Sequence, residues 1–283
     1  MLATCDVSSG SLACTQPAPF TSAPVHYAPG SLALGAMLSS KLALAWRQGS
    51  SPFVGHVQLC MADLSLCGAE LVVRAEWGAV AVGVLASTAL AVAYSDVQQG
   101  HRGKIQLCTV AGLELMCEGE SVFERGPVGA LALAVLSDQD LNYQTTSTDL
   151  ILAYEVLGER AERVGRLLPC ERLDDGQLRC YPLSAAHYAG GPSEGVSVLG
   201  LSPSLFAVAY ADRQYSCPWA SSQRRRRELH VCTAYDGHPA IGRARLCRAG
   251  FRGLGLLRPS IECGADAVVD DGYATGAAAL ARA

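Results

Sequence analysis

Four arginines in a row, Arg224, Arg225, Arg226 and Arg227, are the densest charge in the sequence, with Trp219 and Cys217 nearby. Adjacent guanidinium groups repel one another unless water or an anion meets them. The run therefore reads as a solvated loop tip, a dock for a polyanion or acidic partner, or a basic processing site. A second set of residues is acidic. Asp96, Glu155 and Asp212 each follow a recurring aromatic residue, and carboxylates converging on one rim could bind a cation or polarise a substrate. Arg47 takes the corresponding place in the first copy and interrupts the set, and an acid where a strand leaves the core is more simply a solvated strand end. The third set is cysteine, 12 in all, recurring in pairs: Cys5/Cys14, Cys60/Cys67, Cys108/Cys117, Cys170/Cys180 and Cys232/Cys247, with Cys217 and Cys263 left over.

The spacing of the cysteines favours hairpins over metal sites. No Cys-x-x-Cys occurs, so a structural zinc site of the usual kind has little support. Residues facing each other across an antiparallel pair stand close enough for a disulfide. Clips of this length contribute roughly 2–3 kcal/mol each, mainly by restricting the unfolded chain. Paired cysteines at one place in every copy point to an oxidising, secretory or extracellular compartment. The N-terminus shows no basic n-region or unbroken apolar h-region, so the expectation of secretion goes with an incomplete N-terminus.

Other chemistries find no pattern. The histidines (His26, His56, His101, His187, His230 and His238) have no ligand spacing, and there is neither a G-x-S-x-G elbow nor a phosphate-binding P-loop. Asp266, Asp270 and Asp271 lack the alternating order of a calcium loop. No cofactor is implied. A net charge of -4 argues against general nucleic-acid binding, leaving only the local arginine run for an anion. The only asparagine, Asn142, is not in a glycosylation sequon.

The elements that must position these residues are repeated. Apolar runs ending in an aromatic recur as Leu42–Trp46, Leu90–Tyr94, Leu150–Tyr154 and Phe206–Tyr210, with the aromatics 48, 60 and 56 residues apart. A shorter apolar stretch and a polar turn precede each run, and a cysteine hairpin follows it. That makes four strands per copy, short and rich in Val, Leu and Ala, as strands buried on both faces should be. The first strand of each copy is rich in Ala and Gly, which suits a crowded axis. From Trp77 to Tyr94 the chain is apolar enough to mimic a membrane span. Polar breaks at the same place in the other copies predict two strands and a turn instead, and hence no transmembrane segment.

A four-stranded unit with a period of this length resembles that of β-propeller proteins in general, over nearly the whole chain. It lacks the Gly-His and Trp-Asp dipeptides of WD40 blades, and no functional residue carries over from any named family. The resemblance implies an all-β propeller of four-stranded antiparallel blades in a single domain spanning 1–283. Its units are 25–76, 77–126, 127–190 and 191–252, with half blades at 1–24 and 253–274 sharing a fifth blade between the termini. Residues 275–283 are expected to be a disordered tail. A piece of a longer array is the other possibility.

Fold does not fix function. The expectation is a non-catalytic binding module presenting variable rim loops to a protein or glycan. The alternatives are a propeller enzyme acting on glycans through Asp96, Glu155 and Asp212, and a segment of a larger secreted or surface protein.

Overall fold

A computed structural model describes residues 5–8, 11–14, 21, 24–26, 30–37, 40–49, 53–136, 149–158, 163–173, 177–181, 186–189, 193–202, 204–212, 226–236, 259–263 and 267–269. Among these the chain is all-β: its single helical element is a 3-10 turn at Val97–Gln99, and no helix is long and apolar enough to cross a membrane. The strands are β1 (Cys5–Ser8), β2 (Ser11–Cys14), β3 (Leu32–Met37), β4 (Lys41–Arg47), β5 (Val54–Met61), β6 (Leu71–Ala86), β7 (Ala89–Asp96), β8 (Arg102–Ala111) and β9 (Glu114–Val135). They continue as β10 (Leu150–Leu157), β11 (Arg163–Arg172), β12 (Leu178–Cys180), β13 (Ala186–Ala189), β14 (Ser193–Ser202), β15 (Leu205–Asp212), β16 (Arg226–Asp236), β17 (Pro259–Cys263) and β18 (Ala267–Val269).

Every pairing is antiparallel, and a large sheet path runs from β3 through β12 in chain order. Two strands are long because they serve two units. β6 pairs β5 as far as Glu76 and β7 from Trp77 onward. β9 pairs β8 as far as Pro127 and β10 from Val128. The apolar segment Trp77–Tyr94 is thus the end of one long strand and most of the next, joined by a tight turn after Ala86.

Alternation explains the burial of both faces. In β7, Leu90, Val92 and Tyr94 point toward the first unit and pack with Ala43, Ala45, Val57 and Leu59. Ala89, Ala91 and Ala93 point the other way and pack with Leu150, Leu152 and Tyr154 of the third unit. The third unit in turn places Ile151 and Ala153 against Val196, Phe206 and Val208 of the fourth. Each unit therefore covers its neighbour, and strands with apolar residues on both faces are the ones that can be covered twice.

The clip is seen in three units: disulfides join Cys60–Cys67, Cys108–Cys117 and Cys170–Cys180, each a cross-strand register pair. Cys5 and Cys14 face each other in the β1–β2 hairpin. In the fourth unit the structure differs from the sequence expectation. Cys232 is disulfide-bonded and its register partner is Cys263, while Cys247 lies outside the described residues. β17 and β18 both pair with β16, and most of the span 253–274 expected as a half blade lies outside the described residues. Cys263 is further from Cys232 in sequence than Cys247 is, and the register of β17 on β16 sets it alongside.

Candidate functional site

The acidic residues singled out by the sequence do not form one ring. Asp96 is opposite Arg102 and Asp212 is opposite Arg226, equivalent places in the second and fourth units. Glu155 is opposite Gly165, one residue out of step, and so on the other face of its strand from the Asp96 position.

Nor is Asp96 or Glu155 presented to solvent. Asp96 is 2% exposed. Its Oδ1 accepts from the backbone N–H groups of Gln98 and Gln99 at 3.0 and 3.3 Å, capping the 3-10 turn, and its Oδ2 meets Lys104 Nζ at 2.8 Å. Glu155 is fully buried, with Arg163 Nη1 at 3.5 Å from Oε2. For Asp212 the backbone register alone is described. Arg226 and Arg227 are the first residues of β16, so half of the arginine run is strand and not loop tip. Arg224, Arg225 and Trp219 lie outside the described residues. In the first unit Arg47 stacks its guanidinium 4.0 Å over the Phe53 ring.

A different constellation emerges around the recurring aromatics. Directly across from Trp46, Tyr94 and Tyr154 stand His56, Lys104 and Arg166. Trp46 stacks on His56 with centroids 5.4 Å apart, and His56 pairs with the Glu70 carboxylate. The Tyr94 hydroxyl donates to Glu120, which also pairs with Lys104 Nζ at 2.6 Å. The Tyr154 hydroxyl donates to Glu124 at 3.3 Å, and Arg166 Nη1 donates to the same oxygen at 2.9 Å. Because Glu124 is on the outer strand of the second unit, this last triad ties two units together. In the fourth unit Tyr210 stacks on His230 and its hydroxyl lies 2.9 Å from Nε2.

Burial, reinforced by the neighbouring Glu120 carboxylate, pushes the Tyr94 hydroxyl far above its ordinary value; burial and the Glu124 charge do the same for Tyr154. Burial alone would lower Lys104, but its bonds to Asp96 and Glu120 outweigh this and raise it. All three groups are thereby held in their proton-bearing form. Such networks hold a structure together and offer no poised acid or base. Among the described residues, no group of three or more His, Cys, Asp or Glu is placed to hold a metal ion.

Beside three of the four recurring aromatics, Trp46, Tyr94 and Tyr154, stands a glycine. A Cβ on Gly55, Gly103 or Gly165 would overlap the ring of Trp77, Phe123 or Tyr188 respectively. Those rings pack in turn on Tyr94, Tyr154 and Tyr210 of the following unit, at centroid distances of 4.9, 5.1 and 4.9 Å. The signal was available as a glycine followed by a basic residue, with a cysteine four places further on: Gly55-His56 with Cys60, Gly103-Lys104 with Cys108, and Gly165-Arg166 with Cys170. The fourth unit departs from it, with Arg227-Glu228 before Cys232.

No protein-family model matches the chain, and a search of curated proteins gives no match either.

Proposed function

We propose that the stacked units form a β-propeller whose rim loops bind an anionic macromolecular ligand, protein or glycan, without catalysing a reaction. The observation that carries this reading is how the acids are used. Asp96 and Glu155, the best acid/base candidates, are consumed by internal caps and ion pairs, while the positive residues Arg224 and Arg225 belong to the longest connection between a second and a third strand. Connections at equivalent places (48–53, 97–101, 158–162 and 213–225) differ in length and composition, which suits a recognition surface mounted on a repeated scaffold. Arginine is the side chain best suited to carboxylate, sulfate or phosphate groups, because its planar fork binds two oxygens at once.

Three disulfides fit an oxidising extracellular or secretory environment, where polyanionic glycans and acidic protein surfaces are both present. The test is retention on a sulfated-polysaccharide column across a salt gradient. The wild-type chain should elute at higher salt than Arg224→Glu/Arg225→Glu, with circular dichroism unchanged. Equal elution of the two would remove the arginine run from the binding face. A catalytic reading has its own test: Asp96→Asn should lower the melting temperature, and loss of a glycan-cleaving turnover at unchanged melting temperature would favour an enzyme.

A further inference from the structure

We propose that the joint between the first and second units is an oxyanion-binding site, in which the Arg47 guanidinium and the Trp77 indole N–H grip one carboxylate or sulfate group. The inference rests on the anion-binding reading above and gives it a contact point separate from the arginine run.

Arg47 ends β4 and Phe53 precedes β5, so the two stand at the ends of the connection 48–53. The register partner of Arg47 is Gly55. A Cβ on Gly55 would overlap Cδ2 and Cε2 of Trp77, and Cε2 is bonded to Nε1. The indole therefore lies against the position directly across from Arg47, on the face that cross-strand partners share. Phe53 joins the two: its ring carries the guanidinium at 4.0 Å, and its carbonyl accepts from the Trp77 backbone N–H at 2.9 Å. His26 donates its backbone N–H to the Arg47 carbonyl at 3.0 Å and meets Phe53 edge-on, with centroids 5.5 Å apart.

The group offers donors and positive charge without a matching acceptor. Trp77 is fully buried, and neither its Nε1 nor Arg47 Nε, also buried, has a hydrogen-bond partner among the described residues. Buried donors left unpaired are costly, and a single oxyanion accepts from both. Arg47 forms no ion pair among the described residues. Glu76, opposite Val54, acts on it through space, but burial outweighs that support and lowers the guanidinium from its ordinary value. Burial and the Arg47 charge likewise lower His26, whose Nδ1 lies 3.2 Å from the Ser31 hydroxyl. An anion would relieve all of these. The place of Arg47 is filled differently in the other units. Ser95 accepts from the Ala79 N–H at 2.9 Å, Glu155 is met by Arg163, and the fourth unit has Ala211 opposite Arg227. The ring over the facing glycine is Phe123 or Tyr188 at the next two joints, so the indole belongs to the first joint.

Nuclear magnetic resonance on the unaltered full chain tests this. The chain has three tryptophans, and the Trp77 indole signal is the one lost in Trp77→Phe. Added sodium sulfate should shift that signal saturably and move the His26 titration to higher pH. No response of the Trp77 indole would leave the donors to ordered water and overturn the proposal. Arg47→Gln should weaken sulfate binding at least about tenfold and Trp77→Phe about fivefold, with circular dichroism unchanged. Glu76→Gln should strengthen it. Unchanged binding in both Arg47→Gln and Trp77→Phe would overturn the site. A sulfated oligosaccharide that acts at lower concentration than sulfate assigns the group to a glycan, and a response to sulfate alone assigns a free ion; both support the site. The column of the preceding section separates the two failures. Salt-sensitive retention without any Trp77 response refutes this site alone, whereas a Trp77 response to sulfate without retention refutes the macromolecular ligand and leaves the site.

Discussion

At the residue scale, ionisable groups inside the sheet stabilise one protonation state, and this fixes how the molecule should respond to alkali. Lys104, Tyr94 and Tyr154 all have values raised in the fold. A raised value means that the stabilisation is fully present below the group's unfolded value and is lost as the pH climbs through the folded one. The unfolded references are 10.5 for the lysine and 10.0 for the tyrosines. The melting temperature should therefore hold steady from neutral pH to about 10 and fall beyond it. Tyr94→Phe should flatten part of that fall, and an unchanged alkaline limb would show that the hydroxyl is not a buried donor to Glu120. Asp149 has the same sign of shift, chiefly from burial, although the Arg172 backbone N–H donates to it. A raised carboxylate opposes folding at neutral pH, so Asp149→Asn should raise the melting temperature at pH 7 and lose that advantage as the pH is lowered toward 4.

At the scale of elements, the decisive residues are small. Gly103 leaves room for Phe123, which packs edge-on to Tyr154 of the next unit. Gly103→Ala should cost about 1–3 kcal/mol by overpacking, read as a shift in the urea midpoint at unchanged slope. Phe123→Leu in the same chain should relieve part of the strain. Removing a clip by Cys108→Ser/Cys117→Ser should cost about 2–3 kcal/mol through the unfolded state. The strands and hairpin clips were legible in the sequence because the burial of both faces writes a continuous apolar run, and a short hairpin puts paired cysteines close in sequence. The glycine joints were harder to see, because a missing side chain carries no periodic signal until its neighbour is known. The acid ring failed for a related reason: Glu155 follows its aromatic by one residue and Asp96 by two, and a strand turns that single step into opposite faces.

At the scale of the whole molecule, the loops proposed to bind a ligand are separate from the parts that give stability. Stacked units supply one continuous apolar interior, with clusters that each draw residues from adjacent units. Unfolding should therefore be cooperative across the described units, with coincident fluorescence and circular-dichroism transitions; separate transitions would mean that the units stand alone. The connections between second and third strands differ in length and composition while that interior recurs. Function was the least legible level, since no spacing in the sequence assigns a ligand to Arg224 and Arg225, and the candidates for chemistry proved to be internal ties. The register of Cys263 on Cys232 was also not legible, because Cys247 is nearer in sequence to Cys232.

One four-stranded unit recurs along the chain with a clip at a fixed register. Peptide mapping of the non-reduced protein by mass spectrometry tests it most directly. Linked peptides should join Cys5 to Cys14, Cys60 to Cys67, Cys108 to Cys117, Cys170 to Cys180 and Cys232 to Cys263. Twelve free thiols, or a Cys232–Cys247 link with Cys263 unpaired, would contradict it.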